Sequence, residues 1–375
     1  MKIQNLLVGM MLRATLLAGC VDDSGDLGDA NEALIDDEHE DGGKIQALKP
    51  GGPGPGPGPG PGPGPDDATV VGIETLDVTI PAALHAQDLA VPAKLVRPKW
   101  SKAVGKRPAM MVLHGSGGLL KDPKSKADQP CSSQMETQFV DWSNRLAKLG
   151  YTVLLPSSYS ARGFCDKHTD AARMPKTFDD KTEQILGRIY DLDAATRYLC
   201  DRSEVDCERM GVLGFSQGGT MVMLAVHWQI EQAIAYFRET KGDSVDIEIP
   251  DVKPGRPEYQ MGITYYPGCG FDGVVPLSTS KSAKIENKFS PTAPLTILHG
   301  SKDTLVKECS NQAGSGARQT QSKQVADELK IPDLYEITVY AGAAHSFDSG
   351  SSKGADAVAR EAALKVTLEK LATQL

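Results

Sequence analysis

The run Gly214-Phe215-Ser216-Gln217-Gly218-Gly219 constrains this chain more than any other feature. It follows a short apolar stretch, Met210 to Leu213, and opens an apolar segment with helical spacing, Gly218 to His227. A buried strand that turns directly into a helix crowds the positions two residues either side of the turn. Side chains there would strike the adjoining strand and helix, so glycine is needed at Gly214 and Gly218. Such a turn holds Ser216 in strained geometry with its hydroxyl at the helix N-terminus, where developing negative charge is favoured. A bare Gly-x-Ser-x-Gly arises often by chance. The strand before it and the helix after it give it meaning.

The rest of the chain from about residue 70 alternates strands and helices. Val70 to Pro81 alternates apolar and polar residues (Val71, Ile73, Leu76, Val78, Ile80), and Leu89 to Val96 reads as its antiparallel partner. Ala109 to Leu113 and Tyr151 to Leu155 are short continuous apolar runs, as expected of strands covered on both faces. Arg209 to Leu213, Gly262 to Tyr266, Leu295 to Leu298 and Glu336 to Tyr340 complete the strand set. Helical spacing marks Met135 to Leu149, Thr182 to Leu199, Ser322 to Leu329 and Ala355 to Leu371. This rhythm predicts an α/β fold with a mostly parallel sheet, helices on both faces and an antiparallel edge. Gln229 to Gln260, charged and carrying Pro250, Pro254 and Pro257, interrupts it. That stretch reads as an insertion, either a surface excursion or a lid.

A serine hydroxyl is inert at neutral pH unless a base takes its proton and a third group orients the base. His345 follows the last strand among small residues, Ala341-Gly342-Ala343-Ala344, so its ring has freedom to reach Ser216. Asp303 lies in the loop His299-Gly300-Ser301-Lys302-Asp303 that leaves a buried strand. It fits the orienting acid better than Asp272, which also follows a strand. His39, His85, His168 and His227 lie outside the expected loops. His114 and His299 each precede a glycine at a strand end, where an imidazole commonly props a loop. A tetrahedral intermediate needs two backbone N–H donors. One is expected from Gln217. The other is expected from the loop His114-Gly115-Ser116-Gly117-Gly118, at Ser116 or else at Gly117.

These residues resemble the dienelactone hydrolase family within the α/β-hydrolases. The resemblance rests on His114-Gly115-Ser116-Gly117-Gly118, Gly214 to Gly219, Tyr265-Tyr266-Pro267-Gly268-Cys269, Gly300-Ser301-Lys302-Asp303 and Ala344-His345-Ser346-Phe347. It covers about residue 105 to the C-terminus. It implies the α/β-hydrolase fold with an eight-stranded sheet, a triad of Ser216, Asp303 and His345, and no cofactor. The namesake enzyme of that family uses a cysteine nucleophile with a glutamate near the third strand. Here Ser216 and His114-Gly115-Ser116 stand in those places, which favours a general carboxylic ester hydrolase.

The same comparison sorts the cysteines. Seven are present, and six lie in the folded region. Cys269 and Cys309 follow successive strands on the catalytic edge and would staple the acid loop. Cys200 and Cys207 flank a short helix-to-strand turn. Cys131 and Cys165 lie in loops after neighbouring strands. Metal binding is not expected, because no Cys-x-x-Cys or clustered Cys/His spacing occurs.

Disulfides require export, and the N-terminus resembles a bacterial export signal. Lys2 starts it, Leu6 to Leu12 is apolar, and Leu17-Ala18-Gly19-Cys20 matches a lipoprotein box. Residues 1–19 are therefore expected to be removed and Cys20 lipidated, with a plain secretory signal as the alternative. Arg13 shortens the apolar stretch. Residues 20–69 are acidic and then strictly Pro-Gly alternating from Pro53 to Pro65, a disordered tether or else a neutral low-complexity expansion. As polyproline II the alternating tract would span roughly 40 Å. Residues 70–375 are the catalytic domain. The expected location is the bacterial cell envelope, with membrane contact only through the lipid.

A net charge of −9 with no basic cluster argues against a nucleic-acid partner. A small-molecule or polymeric ester is the expected substrate. A serine peptidase or acyltransferase on the same triad is the alternative, and a non-catalytic surface binding protein a more distant one. Acyl and alcohol preference and oligomeric state are not written in the pattern.

Overall fold

The computed structural model describes residues 68–121, 131–168, 173–175, 181–226, 257–268, 291–306 and 335–375, with residues 230, 234, 235 and 238 besides. Its centre is one eight-stranded sheet. In chain order the strands are β1 (Val70–Ile80), β2 (Val91–Trp100), β3 (Arg107–Leu113), β4 (Thr152–Pro156), β5 (Val205–Phe215), β6 (Met261–Tyr265), β7 (Leu295–Gly300) and β8 (Tyr335–Tyr340). They lie in the order β1-β2-β4-β3-β5-β6-β7-β8. β1 runs antiparallel to β2 and β2 to β4. All pairs from β4 through β8 are parallel. This is the expected α/β-hydrolase sheet with its antiparallel edge.

Helices α1 (Thr137–Lys148), α2 (Lys181–Cys200), α3 (Gln217–Ala225) and α4 (Ala355–Gln374) cover both faces. Strand side chains alternate between two cores. From β3, Ala109, Met111 and Leu113 join Ile189, Leu192 and Met221 of α2 and α3. Met110 and Val112 point the other way, onto Phe139, Trp142 and Leu146 of α1 and Ala359 and Ala363 of α4. Every one of these is buried, which explains why β3 reads as a continuous apolar run rather than an alternating one.

Several element ends shift by a few residues, β2 running Val91–Trp100 rather than Leu89 to Val96, and β5 and β1 differ more instructively. β5 begins at Val205 rather than Arg209. Residues 206–209 are partly or fully exposed, so no apolar pattern announces them. Val205 nevertheless pairs with Arg107 across a register shift. In β1 the apolar residues divide between faces: Leu76, Val78 and Ile80 pack on one core and Ile73 on the other. Val71 is left exposed beside a bulge at Val70/Gly72.

Two of the three cysteine pairings are present, Cys131–Cys165 and Cys200–Cys207. Cys269 and Cys309 lie outside the described residues, as do the signal, Cys20, the tether up to residue 67, Asp272, the helix expected at 322–329 and most of 229–260. Among the described residues no helix is long and apolar enough to cross a membrane.

Candidate active site

Parallel strands deliver their C-terminal ends to one rim, and three loops meet there. The turn after β5 holds Ser216 at φ 52° and ψ −120°, outside the ordinary range for a residue with a side chain. Packing enforces it. A Cβ on Gly214 would overlap the carbonyl of Gly218, and one on Gly218 would overlap the carbonyls of Leu113 and His114. The Ser216 N–H is held by the Tyr265 carbonyl at 2.9 Å. The strained turn therefore aims the hydroxyl off the rim.

The loop after β8 brings His345 to it. His345 Nε2 lies 3.0 Å from Ser216 Oγ, and His345 Nδ1 lies 2.7 Å from Asp303 Oδ2. Asp303 is buried, and its second oxygen accepts the N–H groups of Leu305 at 2.9 Å and Val306 at 3.0 Å. Burial alone would raise this carboxyl. The hydrogen bond and charge of His345, with the Val306 N–H, outweigh it and hold the group below the usual carboxylate range. Asp303 is thus a fixed anion facing one imidazole nitrogen, while the other faces the serine.

His299, read from sequence as a loop prop, sits buried at the end of β7 with Nε2 3.4 Å from Asp303 Oδ2. Burial lowers it to about 4, so it is neutral at pH 7 and adds no charge to the acid. His114 props its own loop: its Nδ1 lies 2.8 Å from the Gly115 carbonyl, and burial pushes it well below the ordinary imidazole value.

The loop after β3 lies against Ser216. A Cβ on Gly115 would touch the Phe215 carbonyl and Ser216 Cβ at 3.2 Å. Ser116 pairs through its hydroxyl with His168 Nε2 at 2.8 Å, and its carbonyl accepts the Lys167 N–H at 3.0 Å. Gln217 opens α3, where first-turn N–H groups have no helical acceptor. Both candidate oxyanion segments therefore flank Ser216.

Residues that the sequence reading passed over support this centre. The Tyr266 ring lies 4.6 Å from the His345 ring, and its hydroxyl donates to the buried Asp348 carboxylate. Gln138 and Trp142 from α1 donate to the same carboxylate at 2.8 and 3.3 Å. Burial raises Asp348 despite these donors, and it raises Tyr266 far more, which keeps the phenol neutral. Arg188 on α2 reaches Gln217 and His114. The available signal was a charged residue inside an apolar helical repeat, flanked by Ile185, Ile189 and Leu192.

The model of the "Dienelactone hydrolase family" matches residues 91–375. A Bradyrhizobium protein named "Probable 2-oxo-3-(5-oxofuran-2-ylidene)propanoate lactonase" is 25% identical over 225 residues, covering 58% of this chain and 71% of its own length. A Methylorubrum extorquens protein named "Putative carboxymethylenebutenolidase" is 31% identical over 108 residues, 28% of this chain and 36% of that one. The chain thus spans anything from about a third to seven-tenths of these relatives. A crystal structure titled "Putative Dienelactone Hydrolase", from Klebsiella pneumoniae, superposes with TM-score 0.51 at 18% identity, over 80% of this chain and 99% of that one. That likeness speaks to the fold. With the family model spanning seven of the eight strands and every loop of the rim, the chain belongs to the dienelactone hydrolase family and is a carboxylic ester hydrolase.

Proposed function

We propose that this protein is a serine esterase that works through a covalent acyl-enzyme on Ser216. The observation that carries the reading is the linear chain of contacts from Ser216 Oγ to His345 Nε2 and from His345 Nδ1 to Asp303 Oδ2, at 3.0 and 2.7 Å. His345 takes the hydroxyl proton on Nε2 as Oγ adds to the ester carbonyl carbon. The carbonyl π bond becomes an oxyanion, met by the N–H groups of Gln217 and of Ser116 or Gly117. Collapse breaks the ester C–O bond, and the leaving alcohol takes the proton from Nε2. Water then adds to the acyl-enzyme by the same route, giving the carboxylic acid and free Ser216. Asp303 keeps its charge throughout and stabilises the imidazolium.

The relatives' names point to a small ester or lactone as substrate. The two disulfides suit an oxidising compartment and agree with export, with Cys20 as the proposed lipid attachment in a bacterial envelope. Labelling with a fluorophosphonate and mapping the adduct tests the nucleophile. A stoichiometric adduct on Ser216, absent in Ser216→Ala, is expected. Retained p-nitrophenyl ester hydrolysis in that variant would refute it, and cleavage of peptides in preference to esters would favour the peptidase alternative.

A further inference from the structure

α2 carries a cation where cations are costly. Arg188 is 2% exposed, and among the described residues its guanidinium meets no carboxylate. The acid one turn on, Asp191, is engaged by Arg162 at 2.8 and 3.1 Å and by His85 at 2.9 Å. Arg188 Nε has no hydrogen-bond partner. A buried cation with no carboxylate in contact is ordinarily selected against unless something repays the lost hydration.

Its two ends show what it holds. Arg188 Nη1 donates to Gln217 Oε1 at 2.7 Å, and Nη2 donates to the His114 carbonyl at 2.6 Å. The same Gln217 oxygen accepts the Tyr159 hydroxyl at 2.6 Å, and Gln217 Nε2 donates to Gln184 at 2.9 Å. The Tyr159 ring lies edge-on to His114 at 4.7 Å and 5.6 Å from the guanidinium carbon. One planar fork therefore joins the first residue of α3 to the last residue before the Gly115-Ser116-Gly117 loop. Those are the two chain segments that flank Ser216 and carry the oxyanion donors.

We infer that Arg188 is a positioning residue for the oxyanion site, locking its two donor segments to each other and placing a positive charge behind the developing alkoxide. The inference rests on the acyl-enzyme reading above. Lysine cannot replace the fork, because one ammonium cannot make two parallel bonds to acceptors on separate segments. Displacing a donor by about 1 Å, or losing its dipole, is a change of about 10²-fold in rate.

The test uses the full chain. Arg188→Met is expected to lower kcat on p-nitrophenyl acetate about 10²-fold with KM within threefold, and Arg188→Lys to recover part of it. Inhibition by an alkyl trifluoromethyl ketone, whose adduct carries the oxyanion, should weaken in step with kcat/KM. A role limited to tethering α2 would lower Tm and leave both values alone, and that result overturns the inference. Gln217→Glu guards against a misfolded Arg188→Met. It is isosteric, keeps the bonds from Arg188 and Tyr159, and neutralises the cation, with Gln184 turning its amide to donate. It should fold with Tm unchanged or raised and still lose at least tenfold in kcat, whereas unchanged kcat overturns the inference. Wild-type protein that takes no fluorophosphonate on Ser216 would instead sink the acyl-enzyme reading itself.

Discussion

Replacing Asp303 by asparagine separates geometry from charge at the centre of the site. The side chain keeps its shape, so the question is which way the amide faces. Oδ1 of Asp303 accepts two backbone N–H groups, from Leu305 and Val306, while Oδ2 is hydrogen-bonded to His345 Nδ1 at 2.7 Å with His299 Nε2 farther off at 3.4 Å. If the amide nitrogen faced the backbone, two buried donors would be orphaned at about 1–3 kcal/mol each. Facing His345 costs one such contact at most. The amide oxygen therefore stays on the backbone and the NH2 group points at Nδ1. His345 must then accept at Nδ1 and carry its proton on Nε2, where it donates toward Ser216 and cannot take the serine proton. The expected loss in kcat is about 10⁴-fold, the scale of a wrong tautomer in a serine triad. KM should change little, and unfolding in urea should shift by less than about 1.5 kcal/mol, because the backbone bonds survive. Steady-state hydrolysis of p-nitrophenyl acetate and the rate of fluorophosphonate labelling should fall together. A folded Asp303→Asn enzyme within tenfold of wild type in both assays would refute the role of Asp303.

Three further outcomes follow from the same coordinates. Gly218→Ala drives a Cβ into the Leu113 and His114 carbonyls, so it should cost about 3 kcal/mol or more by urea unfolding and abolish turnover; an unchanged midpoint would disprove the tight turn. His299 is buried neutral with its folded value lowered to about 4. The unfolded chain binds that proton first, so stability should fall as pH drops from about 6.5 toward 4, by about 3 kcal/mol at most from this group. His299→Gln should flatten the decline in that window, and equal slopes for both proteins would count against a neutral buried imidazole. Removing Cys131–Cys165, with a sequence separation of 34, should cost about 4 kcal/mol, against about 2.5 for Cys200–Cys207 with a separation of 7. Gly118 packs on the Cys165 carbonyl, so the first removal should also lower kcat while the second should not, as matched Cys→Ser pairs would show.

What could be read from the sequence shares one property: it is imposed on the backbone. β3, β4 and β6 are runs of buried residues between turn signals, and their length and spacing betray them. Gly214 and Gly218 are legible because any side chain would strike a carbonyl. Ser216, His345 and Asp303 stand at strand ends, and strand ends can be counted. Expectation failed where partners are set by packing rather than by pattern. The first residues of β5 carry no apolar signature because Glu208 and Arg209 face solvent. Tyr266 and Asp348 are 82 residues apart, and no periodicity relates them. His299 looked equivalent to His114, each before a glycine at a strand end. Only the coordinates show one ring beside Asp303 and the other beside Tyr159.

Arg188 marks the boundary between these two kinds of residue. Its place in the repeat of α2, between Ile185, Ile189 and Leu192, already says that it faces the core. A helix that buries arginine at such a place loses hydration that leucine or methionine would never need. Pattern can therefore flag the anomaly but cannot supply its reason, because the acceptors come from the residue after β3 and from α3, far away in the chain. The reason is geometric. The Ser216 turn and the glycine loop are each held by their own strand, and on the proposed mechanism an oxyanion needs donors from both at a fixed separation. Something must bridge the gap between them without adding negative charge. A guanidinium is the one natural side chain that is planar, forked and permanently cationic, and here it occupies that gap.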